Sequence, residues 1–550
     1  MNKPTVAYFS AEYAIADDMP IYAGGLGVLA ADMVLEAGTQ DCEFYAVGLV
    51  YHLAFTGDDP DQRPMTERLA SDGFQVARDS AGKRLLAEVL VADRTVALQA
   101  WVKRWGRTQL ILLDTNLSQN APADRAICDR LYAADPQLQL AQEMCLGFGG
   151  VRVLELLGLT PEVYHLNEGH TAMAGLAVVL REQRERGEGF AAAVATVRPR
   201  LVGTKHTILA GAGILLDWGS VAHQLEPTLA AHGASIDDLR AMAGLPTGDY
   251  SDTKLLIELT RLVNGVSEIH VAEELEAHPQ SRLITITNGV FQGRWAAANW
   301  GDDPLALDDD ELWMRHTENR RRLFTLIREQ TGVELDSDAL TVVWSRRMAA
   351  YKRPDLLVSD MKRLAGLAHD PERPVQFVVS GRANPADAVG VELMQRVIAT
   401  SKQARLAGRF AYVPRFNPVT AKIMVRGADV WLNTPIRGYE ACGTSGMKAS
   451  MNGALQFSTS DGWLDEVKIG PIGWRLPVDN PAAELYARLE QEIAPLFYER
   501  GEDGLPHAWI RMMRANMKLV LERFTAKRML DDYYAKLYEP EESAKSDVRE

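Results

Sequence analysis

Short apolar runs that end in polar or glycine-rich tips recur along this chain, and they dictate an alternating α/β architecture. Thr5-Val6-Ala7-Tyr8-Phe9-Ser10 reads as a strand, Tyr22-Ala23-Gly24-Gly25-Leu26-Gly27 as a loop, and Val28 to Ala37 as a helix by its apolar spacing. Glu43 to Tyr51 is then a second strand. This is a βαβ opening with glycines where doubly wound folds bind phosphate, although glycines also serve tight helix packing. Further strands end in polar tips: Glu162–Leu166 before Asn167-Glu168-Gly169-His170, Arg200–Thr204 before Lys205-His206-Thr207, and Leu283–Thr287 before Asn288-Gly289. Ligands of open α/β sheets sit at the carboxyl ends of strands.

A second alternating series follows a helix spanning Asp308 to Thr331. Its strands are Leu340–Trp344, Val375–Ser380, Ala411–Val413, Val430–Asn433 and Ala454–Thr459, after which the chain reads as helical to near its end. Within the first series, Leu85 to Leu113 alternates with the period of hairpins inserted into the first domain, and helical patterns cover Ala123 to Ala134 and Leu138 to Leu157. The simplest architecture is α/β, with two doubly wound Rossmann-like domains facing a cleft. The boundaries predict an N-terminal domain over 1–288, a C-terminal domain over 289–520, and a C-terminal helix with a frayed tail over 521–550.

At 550 residues the chain exceeds one ordinary core. Its 47 % apolar and 24 % charged residues are those of a globular protein in water. A net charge of −15 argues against a nucleic-acid partner, whose recognition needs a basic face. The four cysteines, Cys42, Cys128, Cys145 and Cys442, form no Cys-x-x-Cys pair, and no zinc spacing is present, so no metal is expected. No signal peptide or transmembrane run is read, which makes a cytoplasmic protein with no membrane partner the expectation.

Against that acidic background, Arg346, Arg347 and Lys352 place three cations within seven residues, directly after an apolar strand. Such a run is commonly a solvated face, but this strand's end should point into the cleft. Later comes Tyr439-Glu440-Ala441-Cys442-Gly443-Thr444-Ser445-Gly446-Met447-Lys448-Ala449-Ser450-Met451-Asn452-Gly453. Small residues and hydroxyls before a helical run present backbone N–H groups to an anion, with an amine beside them. The same glycines also fit a turn that merely starts a buried helix. His170 and His206 follow strands, where core or surface histidines also occur. Asn288-Gly289 is equally a common turn.

The stretch around Lys448 resembles the pyridoxal-phosphate lysine region of the α-glucan (glycogen, starch and maltodextrin) phosphorylases, especially the short prokaryotic type. That family writes Glu-Ala-Ser-Gly-Thr, then Met-Lys, then Asn-Gly; here Cys442 replaces the Ser. The tail Asp461-Gly462-Trp463-Leu464-Asp465-Glu466 continues the likeness, as do Gly24-Gly25-Leu26-Gly27, Asn167-Glu168-Gly169-His170, Gly203–Thr207, Asn288-Gly289 and Gly293-Arg294-Trp295. The family's first basic residue is Lys where this chain has Arg346. After Thr207 the run Ile208-Leu209-Ala210-Gly211-Ala212-Gly213 departs from the family's Pro and Ala-Gly, which bears on the acceptor side.

The resemblance implies the GT-B arrangement and a phosphorolytic enzyme. It would convert α-1,4-glucan and inorganic phosphate to α-glucose 1-phosphate with retention, using the 5′-phosphate of pyridoxal phosphate as general acid/base. By the same resemblance Lys448 would carry the cofactor as a Schiff base, with Arg346, Gly443, Thr444, Ser445 and Gly25 also on the cofactor. Gly24, Gly25, His206, Asn288, Glu440, Ala441 and Gly443 would meet the substrate, and Lys448, Arg347, Lys352 and His206 form the implied catalytic set. A homo-oligomer is compatible with it. Only twenty-three residues precede Gly24, where the long animal and yeast enzymes carry a regulatory segment, so control by AMP or N-terminal phosphorylation is not expected. A nucleotide-sugar glycosyltransferase of the same fold without pyridoxal phosphate, an inactive glucan-binding homologue, and a phosphorylase with another glucosyl donor are the alternatives.

Overall fold

The computed structural model describes residues 3–19, 21–55, 61, 63–207, 213–277, 282–385, 387–460 and 462–539. The departing run at 208–212, Asp461 and the polar tail at 541–550 therefore lie outside the described residues. The chain divides into two compact units. One is Met1–Val266 with Val271–Ile286 and Met529–Glu550; the other is Ser267–His270 with Thr287–Arg528. Both are α/β and doubly wound, the pair of units that defines the GT-B class.

The first unit is built on a ten-stranded sheet. Its parallel centre runs Leu283–Thr285, Leu262–Gly265, Leu201–Lys205, Val163–Asn167, Val6–Ser10, Phe44–Leu49 and Thr108–Asp114. The buried strands are almost wholly apolar, as strands covered on both faces must be. The expected hairpins are present in the first unit and join its main sheet. Arg94–Trp105 pairs antiparallel with Thr108–Asp114 and extends the same sheet, and Leu86–Val91 pairs with Arg94–Trp105 in turn. The strand order reverses beside Val6–Ser10, whose neighbours are Phe44–Leu49 and Val163–Asn167. In register, Ser10 pairs with Asn167 and Asn167 with Thr204, so three polar strand ends stand side by side at this reversal.

The second unit has a six-stranded sheet in which every pairing is parallel. Its order is Phe410–Val413, Val375–Ser380, Leu340–Ser345, Val430–Asn433, Leu455–Thr459 and Gly473–Leu476. The reversal falls between Leu340–Ser345 and Val430–Asn433, which places Arg346 and Thr434 at the crevice where such sheets bind ligands. Helix Asp309–Thr331 is N-capped by Asp308, carries acids in its first turn and ends on left-handed Gly332.

The chain returns to the first unit at its end. Met529, Leu530, Tyr533, Tyr534, Leu537 and Tyr538 are buried in that unit's core. The buried His165 organises this return: one ring nitrogen lies 2.8 Å from the Tyr538 hydroxyl, the other 2.7 Å from Thr204 Oγ1. The rings of Tyr8, Tyr533 and Tyr538 pack against it edge-on. Burial, with the nearby His206 charge, lowers the His165 pKa from 6.5 to about 3. A base held neutral in the fold but protonated in the unfolded chain contributes stability that is complete above pH 6.5 and is lost as pH falls toward 3. His165→Gln keeps hydrogen-bonding capacity without titrating. Between pH 7.5 and pH 5 the wild type should therefore lose about 2 kcal/mol more than this variant, read from urea unfolding of the first unit. Equal losses in the two proteins would refute the assignment.

Candidate active site

In the second unit the sequence-predicted cations meet a carboxylate. Arg346 follows the Leu340–Ser345 strand and donates its backbone N–H to Ser380 O at 3.0 Å. Gly381 makes that approach possible, because a Cβ there would lie 1.7 Å from Arg346 O. Lys352 sits in a turn closed by left-handed Arg353 (φ +46°) and braced by Thr434, whose hydroxyl donates to Lys352 O at 2.8 Å. Thr434 Oγ1 also accepts from buried Trp344 Nε1 at 3.0 Å. The Lys352 turn is thus fixed to the strand ends on both sides of the reversal.

Between these cations lies Glu440. Lys352 Nζ donates to Glu440 Oε2 at 2.7 Å, and Arg346 Nη2 stands 3.5 Å from Oε1. Burial pushes the Glu440 pKa up, but Arg346 first and Lys352 second outweigh it and hold the carboxyl at about 2. Arg346 and Lys352 are 6 % and 7 % exposed. Arg347 is exposed and acts on Glu440 only as a more distant charge. Among the described residues, buried Arg346 Nη1 has no hydrogen-bond partner, and neither has Ser445 Oγ. Orphaned donors of this kind are rare in native interiors and suit an incoming acceptor. Gly443 is required here, since a Cβ would lie 2.8 Å from Arg346 Nη2 and 3.3 Å from Glu440 Oε1.

Lys448 lies in the short helix Ser445–Ser450 and is 7 % exposed. Its Nζ stands 4.1 Å from the centre of the Trp295 ring, a cation–π distance. Asn452 fixes this helix to the Trp295–Trp300 segment. Its Nδ2 donates to Lys448 O and Trp295 O, and its Oδ1 accepts from Ala297 N and Trp300 Nε1. Gly446 lets the helix start pack on Gln456 Oε1 and Trp463, at 2.7 and 3.3 Å from the position of a Cβ.

Asn288 joins the same constellation. Its Nδ2 lies 3.5 Å from Cys442 O, and its buried Oδ1 has no partner among the described residues. Two residues with no role in the sequence reading hold it. Glu466 accepts from Thr287 Oγ1 at 2.9 Å and from Glu268 N at 3.1 Å, while Arg528 Nη2 donates to Thr287 O and Asn288 O. Ser267 Oγ donates to Ala441 O. Burial, then the Glu466 charge, raises the Cys442 thiol pKa, so the family's Ser is replaced here by a neutral thiol.

The first unit carries the remaining candidates. His206 Nε2 lies 2.7 Å from Asn167 Oδ1, and Asn167 Nδ2 donates to Ser10 Oγ at 3.2 Å. The His206 backbone N–H donates to Glu168 Oε2 at 2.8 Å. Glu168 itself is held at φ +76°, a conformation costly for a residue with a side chain. His170 stands beside Tyr132, with ring centres 5.1 Å apart, and burial lowers its pKa to about 4. Gly25 opens helix Gly25–Thr39. Among the described residues, a Cβ at Gly24 or Gly25 would meet nothing within 4 Å.

Among the described residues no group of three or more His, Cys, Asp or Glu side chains could hold a metal, and no helix is long and apolar enough to cross a membrane.

Comparison with known proteins identifies the family. Residues 306–469 match the family described as carbohydrate phosphorylase. The glycogen phosphorylase of Aquifex aeolicus is 33 % identical over 98 % of this chain and 86 % of its own length. The maltodextrin phosphorylase of Thermococcus litoralis is 33 % identical over 97 % of this chain and 70 % of its own. The glycogen phosphorylase of Mycobacterium tuberculosis is 32 % identical, covering 97 % and 71 %. With a buried lysine, a cation-clamped glutamate and glycine loops at the strand reversals, and with likeness over nearly the whole chain, this chain belongs to the carbohydrate phosphorylase family, beside the α-glucan phosphorylases of prokaryotes.

Proposed function

We propose that this enzyme is an α-1,4-glucan phosphorylase that releases α-glucose 1-phosphate from glycogen, starch or maltodextrin with inorganic phosphate and retains the anomeric configuration. The observation that carries the reading is the clamp of Arg346 and Lys352 on Glu440 at the sheet reversal, with the unpartnered Arg346 Nη1 beside it. A buried site with two cations for one carboxylate has charge left over for an anion. Its carboxylate also accepts hydrogen bonds, as a sugar hydroxyl requires.

The residues present fit pyridoxal phosphate. Buried Lys448 has Gly443 and the orphaned Ser445 hydroxyl close to it in sequence, and Arg346, of the same unit, packs its guanidinium against Gly443. Lys448, Arg346, Gly443, Thr444 and Ser445 would hold the group. When bound, it supplies a phosphate monoester whose second pKa of about 6 allows proton transfer near neutrality.

The chain's own residues do the rest. Arg346 and Lys352 neutralise anionic charge, and the more exposed Arg347 adds to their field. Glu440 stays ionised throughout the working pH range, so it orients a sugar hydroxyl as an acceptor and does not act as an acid. Asn288, whose Oδ1 has no partner among the described residues, and the backbone at Ala441 and Gly443 contribute further polar contacts to the sugar. In the other unit, Gly25 offers a first-turn N–H to anionic oxygen, and His206, oriented by Asn167, contacts the sugar.

The deciding assay follows glucose 1-phosphate from maltodextrin with and without inorganic phosphate, and identifies the anomer by NMR. Glucan extension from UDP-glucose or ADP-glucose without pyridoxal phosphate would instead establish the nucleotide-sugar reading. A second measurement concerns Arg346. Arg346→Ala should raise the KM for phosphate by about 10- to 100-fold, the loss of a charge-assisted hydrogen bond of roughly 1.5–3 kcal/mol. Arg346→Lys keeps the charge and should stay within about tenfold of wild type. A phosphate KM unchanged in Arg346→Ala would remove this residue from the anion site.

A further inference from the structure

The glycine loop of the first unit is not held by glycines alone. Glu12, 3 % exposed, lies between the Val6–Ser10 strand and the loop. Its Oε2 accepts from Ala23 N at 2.6 Å and from Gly24 N at 3.1 Å. Its Oε1 accepts from the Tyr132 hydroxyl at 2.8 Å. The three loop glycines therefore differ. Gly27 is glycine because the protein fills the space itself: a Cβ there would lie 2.7 Å from Glu12 Oε2 and equally close to Tyr22 Cβ. A Cβ at Gly24 or Gly25, by contrast, would meet none of the described residues within 4 Å.

Tyr132 adds an independent sign of constraint. It is held at φ +54°, a conformation rare for a bulky aromatic residue, and one that persists only where surrounding structure enforces it. Burial, and then the Glu12 charge, raise its pKa well above the ordinary value, so it remains a hydroxyl donor to Glu12. Loop and preceding segment are further tied by Tyr13 N to Ile21 O at 3.2 Å and Ala14 N to Gly27 O at 2.9 Å.

We propose that Glu12 is a positioning residue for phosphorolysis: its carboxylate takes the N–H groups of Ala23 and Gly24, locks the first half of the loop, and leaves Gly25 to meet the substrate's anionic oxygen. This rests on the reading of the loop given above as part of the anion site. It also reassigns Gly24, whose N–H is spent on Glu12. Gly24 serves the substrate by offering room for close approach. Glu12 never touches the substrate in this scheme, and its two oxygens are both engaged by the protein. Tyr132 holds the second oxygen and so sets the plane of the carboxylate.

The test compares wild type, Glu12→Ala, Glu12→Gln and Tyr132→Phe as holoenzymes. Glu12→Ala frees two N–H groups, so the KM for inorganic phosphate should rise about tenfold or more while the KM for maltodextrin stays within about twofold. Glu12→Gln retains an acceptor oxygen for the loop and should bring the phosphate KM back to the wild-type value or below it, because a negative charge beside the anion is gone. Tyr132→Phe should fall between them. Amide hydrogen exchange of the peptide Ala23–Leu29, read without turnover, should be faster by about tenfold in Glu12→Ala and unchanged in Glu12→Gln. A phosphate KM unaltered in Glu12→Ala overturns the proposal. So does a loss shared equally by both substrates that Glu12→Gln fails to rescue, since that marks a purely structural residue. Should wild type show no phosphate-dependent turnover, the functional reading fails by itself. Exchange then decides for Glu12: added inorganic phosphate should slow the loop peptide in wild type and not in Glu12→Ala, and equal exchange in both proteins overturns the assignment.

Discussion

Lys448→Ala is expected to yield a folded protein that holds no covalent pyridoxal phosphate and has lost phosphorolysis by about a thousandfold or more, ~4 kcal/mol of barrier. The fold should survive because the contact that anchors this helix uses backbone. Asn452 Nδ2 donates to Lys448 O, which alanine retains. What alanine removes is the buried amine over Trp295. Borohydride reduction of the wild type, followed by peptide mass analysis, should place the label on Lys448 and leave substantial activity, since a reduced linkage still holds the cofactor's phosphate in place. Reconstitution with pyridoxal, which lacks that phosphate, should bind but not turn over unless phosphite or a similar anion fills the gap. A label on another lysine refutes the site. A label on Lys448 with activity abolished and fold intact keeps the site but refutes the phosphate chemistry.

The parts of this site that were legible in the sequence are those built from neighbours in the chain. Glu440, Gly443 and Lys448 fall within one stretch, and Arg346 and Lys352 within another, so a motif reading reaches them. Strands Val375–Ser380 and Val430–Asn433 have the ranges read from their apolar runs, because a strand buried on both faces is a continuous apolar block. Short strands with mixed residues were not legible. Gly473–Leu476 carries Trp474 and Arg475 and is a strand because Gly473 lies against Gln456, where a Cβ would stand 1.8 Å from a carbonyl oxygen. Leu262–Gly265 went unread for the same reason of length. Ala123 to Ala134, read as helical, holds only the short turns Pro122–Arg125 and Ala126–Cys128. Side chains that act across the chain left no local sign either. Glu466 reaches Thr287, and Glu12 reaches Tyr132, through contacts that only the folded sheet order creates.

Asp429 is the sharpest case of such a residue. It is fully buried at the start of the Val430–Asn433 strand. Oδ1 lies 2.8 Å from His316 Nε2 and 3.1 Å from Arg320 Nε, and Oδ2 accepts from Thr341 N at 2.8 Å. Its backbone N–H donates to Thr341 O at 3.2 Å. One carboxylate thus ties helix Asp309–Thr331 to both strands that flank the reversal carrying Arg346. Asp429→Ala leaves the buried Arg320 without its counter-charge and Thr341 N without its acceptor. Breaking a buried pair from one side costs about 3–5 kcal/mol, because the surviving charge stays desolvated. The melting midpoint of the second unit should therefore fall by about 10 °C in calorimetry. Removing both charges should be milder: Asp429→Ala with Arg320→Met should recover at least half of that loss, since an apolar replacement no longer buries an unpaired ion. Cofactor content and kcat at low temperature should change little in either variant, because Asp429 lies at the opposite end of its strand from Thr434 and the Lys352 turn. A midpoint within about 2 °C of wild type in Asp429→Ala would show that the pair contributes no net stability. A double variant less stable than the single one would show instead that Arg320 matters through its packing over Phe324 and Phe497 and not through its charge.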